Sequence, residues 1–163
     1  MFACDRTYML IGQLDGDPCP PPAVTLTISN FGPYPMSNDL TRLKTRFIGR
    51  PSAVPELFDL IDDALPARIC LDLGLVTFAF DELDWEDEIR IFLEERAAFS
   101  PDALIGLEAN LRFPGPETME TKIFGRLSAW QNWIFQRDNA AGPQGALPRY
   151  GSGQKGIFSP ERA

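Results

Sequence analysis

Histidine is absent from this sequence of 163 residues. Its absence excludes a Ser-His-Asp or Cys-His catalytic site and any metal centre with histidine ligands. Cysteine is scarce as well, since the chain contains only Cys4, Cys19 and Cys70, without a C-x-x-C spacing. An odd number of cysteines at unrelated spacings predicts reduced thiols in a cytoplasmic protein, with no metal site and no disulfide framework.

Long hydrophobic runs and an excess of positive charge are missing too. No apolar run approaches the roughly 18 to 20 residues of a membrane span. Acidic residues number 23 and basic residues 15, so the net charge is −8, which argues against a general binder of nucleic acid or anionic membranes. Met1–Leu10 carries Asp5 and Arg6 in a strand-like run, which differs from a secretion signal. We expect neither a nucleic-acid nor a membrane partner.

Apolar residues recur at helical spacing between Pro116 and Arg137. The recurring residues are Met119, Ile123, Leu127, Trp130 and Ile134. Steps of four, four, three and four place them on one face of a helix, which Phe124 and Trp133 widen. The pattern predicts one long helix, with Gly115 as its cap and Pro116 at its first position. So large an apolar stripe must be covered, either by the rest of the chain or by a second subunit.

The first half of the chain contains the predicted strands, and they are short. They are Arg6–Ile11, Val24–Ile28 and Leu75–Phe80, which are apolar or alternating runs. Helices are expected between them at 38–47, at 51–64 and at 67–73, the last of which ends at Gly74. In the first of these helices we expect Leu40, Leu43 and Phe47 to face inward.

The second half is predicted to be helical. Asp84 is expected to cap one helix, whose inner stripe is Trp85, Ile89, Phe92, Leu93 and Ala97. Ser100-Pro101 opens another, with Leu104, Leu107 and Leu111 inward, which stops before Pro114. Residues 138–163 are rich in glycine and proline and predict an extended tail with no core of its own. We therefore expect an α/β fold with an α/β part at 1–80, a helical C-terminal subdomain at 81–137 and a tail at 138–163.

Charged clusters supply the candidate sites. The acidic neighbours Asp62-Asp63, Glu86-Asp87-Glu88 and Glu94-Glu95 would point about 100° apart on a helix, so they do not converge on one substrate atom. The basic residues Arg42, Lys44, Arg46 and Arg50 bring four of the 15 bases into nine residues. They form either a positive patch that meets phosphates or the solvated outer face of a helix whose inner face is apolar.

A longer signature runs from Asp84 to Phe113, DWEDEIRIFLEERAAFSPDALIGLEANLRF, and continues as GPETMETKIFGRLSAWQNWIFQRDNAAG. It resembles the C-terminal region of the benzoyl-CoA-dihydrodiol lyase family, within the crotonase (enoyl-CoA hydratase) superfamily. The resemblance extends from ACDRTYM at Ala3–Met9 through NFGPYPM to the tail, and WQNWIFQ at Trp130–Gln136 is its most specific part.

The resemblance implies a partial crotonase-like (ClpP/crotonase) fold and a coenzyme A thioester as substrate. The implied reaction cleaves the ring of oxidised benzoyl-CoA and releases formate in aerobic benzoate breakdown, with no metal or redox cofactor. The thioester enolate would be held by backbone N–H groups, with two glutamates as acid and base. On this pattern Arg42, Lys44 and Arg46 are candidate ligands of the coenzyme A phosphates.

The two glutamates of the crotonase pattern are not found in this chain. Of G-G-x-x-E-L-A-x-A-C-D only the last part is present, as Met1–Asp5, so the first glutamate would precede Met1. Counting back from Gly32 and Pro35 places Ile28 at the position of the second glutamate. We therefore expect no catalytic residue in this chain and no activity of the chain alone.

Three hypotheses remain open from the sequence. The chain represents the C-terminal region of such a lyase, or a non-catalytic assembly module that packs on a crotonase domain supplied by another chain. The third is a truncated product, which would be insoluble. The first two predict a homo-oligomer or association with a catalytic crotonase half.

Overall fold

The structure, a computed structural model, describes residues 1–112 and 115–162. These residues form two compact units, one from Met1 to Phe92 and one that begins at Leu93. The secondary structure is mixed α/β, with a few short strands in the first unit and helices in the second. The predicted α/β fold class is therefore confirmed. The predicted domain boundaries at residues 80 and 137 stay predictions.

The first unit contains four short strands among its described residues. Its elements are β1 (Tyr8–Leu10), β2 (Ala23–Thr25), a 3₁₀ turn (Ile28–Asn30), α1 (Arg42–Arg46), α2 (Ala53–Phe58), β3 (Ala64–Pro66), α3 (Ala67–Leu73) and β4 (Phe78–Phe80). Strand β1 pairs with β4 in parallel, and β2 pairs with β3 antiparallel, so that Val24 lies opposite Leu65. Helix α4 (Glu82–Ala97) follows β4.

One apolar cluster forms the core of the first unit. Its buried members are Met9, Leu26, Leu43, Phe47, Ala53, Leu57, Leu65, Ala67, Cys70, Leu75 and Val76. Leu43 and Phe47 are four residues apart, so they share the inner face of α1, as predicted. The predicted start of α1 was wrong, because Asp39 has a left-handed backbone (φ 60°). Thr41 caps α1 instead, since its hydroxyl accepts a hydrogen bond from the Lys44 N–H at 3.1 Å.

Two further predictions for the first unit were wrong. Within the predicted helix 51–64 only α2 is helical; Asp62 adopts a left-handed backbone (φ 67°), and Ala64 already belongs to β3. The strand predicted to end at Ile28 ends earlier, because the Asn30 side chain accepts a hydrogen bond from the Thr27 N–H at 2.8 Å and starts a turn. Ile28 consequently lies in the 3₁₀ turn, with 57% of its surface exposed.

Helix α4 begins two residues before its predicted cap. Asp81 caps it, because its carboxylate accepts from the N–H groups of Leu83 and Asp84 at 3.1 and 3.3 Å. Of the predicted inner stripe, Trp85, Ile89 and Phe92 are half-buried, whereas Leu93 and Ala97 are exposed. In the first unit the ring of Phe92 lies 5.0 Å from that of Tyr8.

The second unit is helical throughout its regular elements. They are α5 (Pro101–Leu111), a π-helix (Thr121–Leu127), α6 (Ser128–Ile134), α7 (Asp138–Ala141), α8 (Ala146–Arg149) and a 3₁₀ turn (Pro160–Arg162). Helix α5 starts at Ser100-Pro101 and ends before Pro114, as predicted. The long helix was expected from Pro116, but helical backbone begins only at Met119, and its first half is π-helical.

The apolar stripe of the long helix remains largely uncovered. Met119 is 67% exposed, Phe124 72% and Leu127 59%, whereas Trp130 is half-buried against Trp133 at 5.3 Å between ring centroids. Leu107 and Leu111 of α5, predicted to face inward, are about half exposed as well. Among the described residues, the rest of the second unit does not cover this stripe.

Residues from Asp138 onward fold onto the second unit, although an extended tail was expected. The Asn139 side chain is fully buried; its amide donates to the Ser159 carbonyl at 2.9 Å and accepts from the Ser159 N–H at 2.8 Å. The buried Asp102 carboxylate pairs with Arg137 at 3.3 Å. These long-range polar contacts give the segment a defined structure without a large apolar core.

Candidate functional site

The predicted phosphate ligands lie on or beside α1. Because Leu43 and Phe47 face the core, Arg42 and Lys44 project from the opposite side of this one-turn helix and are exposed. The predicted positive patch and the predicted outer face of the helix are therefore the same surface. The geometry fits both interpretations of Arg42 and Lys44, as phosphate ligands and as solvated side chains.

Arg46 differs from its neighbours because it binds the protein backbone. Its Nε donates to the Gly74 carbonyl at 2.8 Å, and Arg50 donates to the Leu73 carbonyl at 3.1 Å. Both carbonyls lie at the C-terminal end of α3, where helical carbonyls lack intrahelical partners and the helix dipole favours a cation. Burial lowers the pKa of the Arg46 guanidinium, an effect that the nearby Cys4 partly opposes. The contact gives Arg46 a structural role in addition to any ligand it binds.

An apolar cleft of about 330 Å³ lies beside Lys44. It is lined by Leu40, Lys44, Ile48, Pro51, Val54 and Pro55. Lys44 is the charged residue of this lining, so the cleft suits an apolar group whose anionic end reaches the ammonium. Charge clustering in the sequence identified Lys44 but did not predict the cleft, because its walls are ordinary apolar residues. The prolines at 51 and 55 are the one feature of these walls that stands out in the sequence.

The positions considered for acid–base chemistry lie at the surface. Ile28, at the position expected for a glutamate, has an exposed hydrocarbon side chain that cannot transfer a proton. Asp62 and Asp63 are exposed, as are Glu94 and Glu95 on α4. In the part of the chain that the structure describes, no three His, Cys, Asp or Glu side chains are grouped to hold a metal ion, and no helix is long and apolar enough to cross a membrane.

Comparison with known proteins identifies a relative. No family model matches the sequence. The benzoyl-CoA-dihydrodiol lyase of Aromatoleum evansii is 50% identical over 157 residues, which cover 96% of this chain and 27% of that protein. The chain is similar to the C-terminal part of that lyase and spans about a quarter of its length.

Proposed function

We propose that this chain forms the C-terminal region of a benzoyl-CoA-dihydrodiol lyase, which cleaves the ring of oxidised benzoyl-CoA with release of formate in aerobic benzoate catabolism. The supporting observation is the 50% identity to a protein of that name along 96% of the chain. The match covers 27% of the relative, so the activity belongs to a longer assembly of which this chain supplies one part.

The chain's own contribution is binding and structure rather than proton transfer. Ile28 replaces the expected glutamate, and the acid and base come from the remainder of the enzyme. The reaction proceeds through a thioester enolate held by backbone N–H groups and uses no metal or redox cofactor. Arg42 and Lys44 bind the coenzyme A phosphates from the surface of α1, and Arg46 supports them from its bond to Gly74.

The uncovered stripe of the long helix provides the surface for assembly. Met119, Phe124 and Leu127 expose more apolar surface than a solvated helix needs, and such patches mark interaction sites. The occupant is the part of the lyase polypeptide outside the matched region, because nearly three quarters of the relative lies there. A second copy of this chain on the same stripe is the competing arrangement.

A reconstitution assay tests the proposal. The purified 163-residue chain should release no formate from the benzoyl-CoA epoxide or dihydrodiol. The part of the Aromatoleum evansii enzyme outside the matched region should be nearly inactive alone and should regain activity when this chain is added. Chelation of metals should leave the regained activity unchanged. Turnover by this chain alone, or no gain on mixing while the full-length relative is active, would overturn the proposal.

The second candidate is a non-catalytic assembly module that packs on a separately encoded crotonase domain. The same exposed stripe and the isoleucine at position 28 support it. The two candidates differ in whether the catalytic part is continuous with this chain, which mass spectrometry of the intact protein from cells decides. Both place the protein in the cytoplasm, in keeping with three cysteines that form no disulfide.

A further inference from the structure

An exposed apolar surface lies on the first unit, at the 3₁₀ turn that follows β2. Ile28, the first residue of this turn, is 57% exposed, and Phe58, the last residue of α2, is 48% exposed. Phe31 connects them, because its ring lies edge-on to that of Phe58 at 5.1 Å between centroids. Residues three apart along a 3₁₀ turn lie one above the other, so Ile28 and Phe31 share a face. We call these three residues the Ile28 patch.

The Ile28 patch is fixed in place by the fold around it. Phe31 packs against the core of the first unit, and its N–H donates to the Ile28 carbonyl at 3.1 Å. The Asn30 side chain holds the turn through its hydrogen bond from the Thr27 N–H. A single exposed isoleucine is ordinary on a protein surface, whereas a contiguous apolar group indicates a contact site. Because the group is already ordered, a partner would bind it with little loss of conformational entropy.

Exposed carboxylates lie beside the Ile28 patch. Asp59 directly follows Phe58 in the chain. Asp62 and Asp63 lie next to the end of β2, because the Asp62 N–H donates to the Leu26 carbonyl at 2.9 Å. An apolar centre with a polar rim is the usual composition of a protein–protein contact. Since this rim is negative, the complementary surface is an apolar side chain flanked by lysine or arginine.

The charge of the rim decides between two occupants of the Ile28 patch. In a symmetric dimer each copy presents the same surface, so two negative rims would meet and repel each other. The net charge of −8 adds to the repulsion between copies. The part of the lyase outside the matched region is free of this constraint, and it makes up nearly three quarters of the relative.

We propose that the Ile28 patch binds the catalytic part of the lyase, at an apolar side chain of that part flanked by basic residues. The inference rests on the proposed function and adds a contact on the first unit to the stripe of the second. It also gives a reason for a hydrocarbon at the position where the crotonase pattern has a glutamate. An ionised carboxylate at the centre of this contact would be buried without a partner, which is costly.

Biolayer interferometry of the full chain against the catalytic part of the Aromatoleum evansii enzyme tests the contact. Ile28→Glu introduces the glutamate of the crotonase pattern at an exposed position, so the variant should fold. Its affinity for the catalytic part should fall at least about tenfold, because the new carboxylate is desolvated on binding. The matched control is Ile91→Glu, the same change at an isoleucine of α4 that is 43% exposed, and its affinity should stay within about twofold.

A second variant, Asp59→Lys, tests the charge of the rim. It places a cation at the C-terminal end of α2, where the helix dipole favours positive charge, so it should fold as well. Against a basic partner surface its affinity should fall about three- to fivefold at low salt. The difference from the unmodified chain should shrink as salt is raised, since salt screens exposed charges.

The outcomes separate this inference from the proposed function. If the unmodified chain does not bind the catalytic part, both are overturned. If the unmodified chain binds and Ile28→Glu binds equally well, or loses no more affinity than Ile91→Glu, only the role of the Ile28 patch is overturned. Sedimentation of the chain alone excludes the other occupant: a dimer that Ile28→Glu abolishes, while the catalytic part still binds that variant, would assign the patch to a second copy and overturn the inference.

Discussion

Asn139 joins two stretches of the second unit through a single side chain. It satisfies both backbone groups of Ser159, twenty residues away, and is completely buried. Asn139→Ala leaves that N–H and that carbonyl unpaired, so we expect it to lower the free energy of unfolding by about 1–3 kcal/mol.

Urea unfolding followed by circular dichroism measures this loss. Asn132→Ala, which truncates an exposed asparagine on α6, is the matched control and should stay within about 0.5 kcal/mol of the unmodified chain. Equal stability of the two variants would contradict a structural role of Asn139.

We expect the stability of the first unit to depend on pH through Cys70, a residue of its core. Burial raises the pKa of its thiol above the ordinary value of 9.0, and its Sγ donates to the Leu65 carbonyl at 3.2 Å. In the unfolded chain the thiol loses its proton from about pH 9, whereas the folded chain retains it up to the raised pKa. The stabilising contribution of the neutral thiol is therefore complete below pH 9 and is lost as pH rises toward the folded-state pKa.

Thermal unfolding between pH 7 and pH 10 should show this dependence. Stability of the unmodified chain should fall more steeply above pH 9 than that of Cys70→Ser, which keeps a donor to Leu65 but does not titrate. Cys19→Ser, which alters an exposed thiol, controls for the loss of a cysteine. Parallel curves for the unmodified chain and Cys70→Ser would refute the linkage.

Lys44 is the residue that connects the basic patch to the apolar cleft. If it binds a coenzyme A phosphate, Lys44→Gln should weaken binding of coenzyme A about fivefold, the effect of roughly 1 kcal/mol from an exposed charge pair. The affinity of the unmodified chain should also fall as salt is raised. Fluorescence titration with coenzyme A measures both effects, and Lys155→Gln, on the second unit, should bind as the unmodified chain does.

Helix α3 shows how an element can be specified by its ends. Pro66 precedes it, and Gly74 ends it with a left-handed backbone (φ 79°) that exposes carbonyls to Arg46 and Arg50. Gly74→Ala should cost about 1–2 kcal/mol, because the left-handed conformation opposes a Cβ and the new atom would lie 3.4 Å from the Phe47 ring.

Thermal denaturation compares this variant with Gly49→Ala. Gly49 lies near α1, its backbone is not left-handed, and a Cβ there would meet no atom within 4 Å. We expect Gly49→Ala to change stability by less than about 0.5 kcal/mol. A Gly74→Ala variant as stable as Gly49→Ala would show that the helix end tolerates a side chain.

Elements with local end signals were predictable from sequence, and those that depend on distant partners were not. Helices α3 and α5 carry their proline and glycine markers within a few residues and were placed correctly. Strand β3 forms because Leu65 pairs with Val24, about forty residues earlier in the chain. The local sequence pattern does not predict such a contact. The π-helix likewise retains the apolar spacing of an α-helix, so periodicity alone could not distinguish it.

At the scale of the whole molecule, the sequence located the basic residues but not the cleft beside them. Lys44 was identified from charge clustering, whereas the walls of the cleft come from residues before, within and after separate short helices. Helical periodicity showed that residues from Met119 to Ile134 share a face, but it could not show that much of this face is exposed in the folded chain. Burial depends on what packs there, which is a property of the assembly.

The exposed stripe yields a prediction about assembly. Phe124 is 72% exposed, so Phe124→Lys removes little buried surface and should leave the unfolding free energy within about 0.5 kcal/mol. It places a charge in the proposed interface, where burial of an unpaired ammonium is costly, so association with the catalytic part of the relative should weaken at least tenfold. Leu83→Lys, at a residue 89% exposed on α4, should retain association.

Analytical ultracentrifugation across micromolar concentrations separates the possible occupants of the stripe. If the catalytic part covers it, the unmodified chain should sediment with that part and Phe124→Lys should not. If a second copy covers it, the unmodified chain alone should dimerise with rising concentration and Phe124→Lys should remain monomeric. A chain that stays monomeric at every concentration and does not bind the catalytic part would contradict a role of the stripe in assembly. We do not expect this outcome, because exposed apolar patches of this kind mark interaction sites.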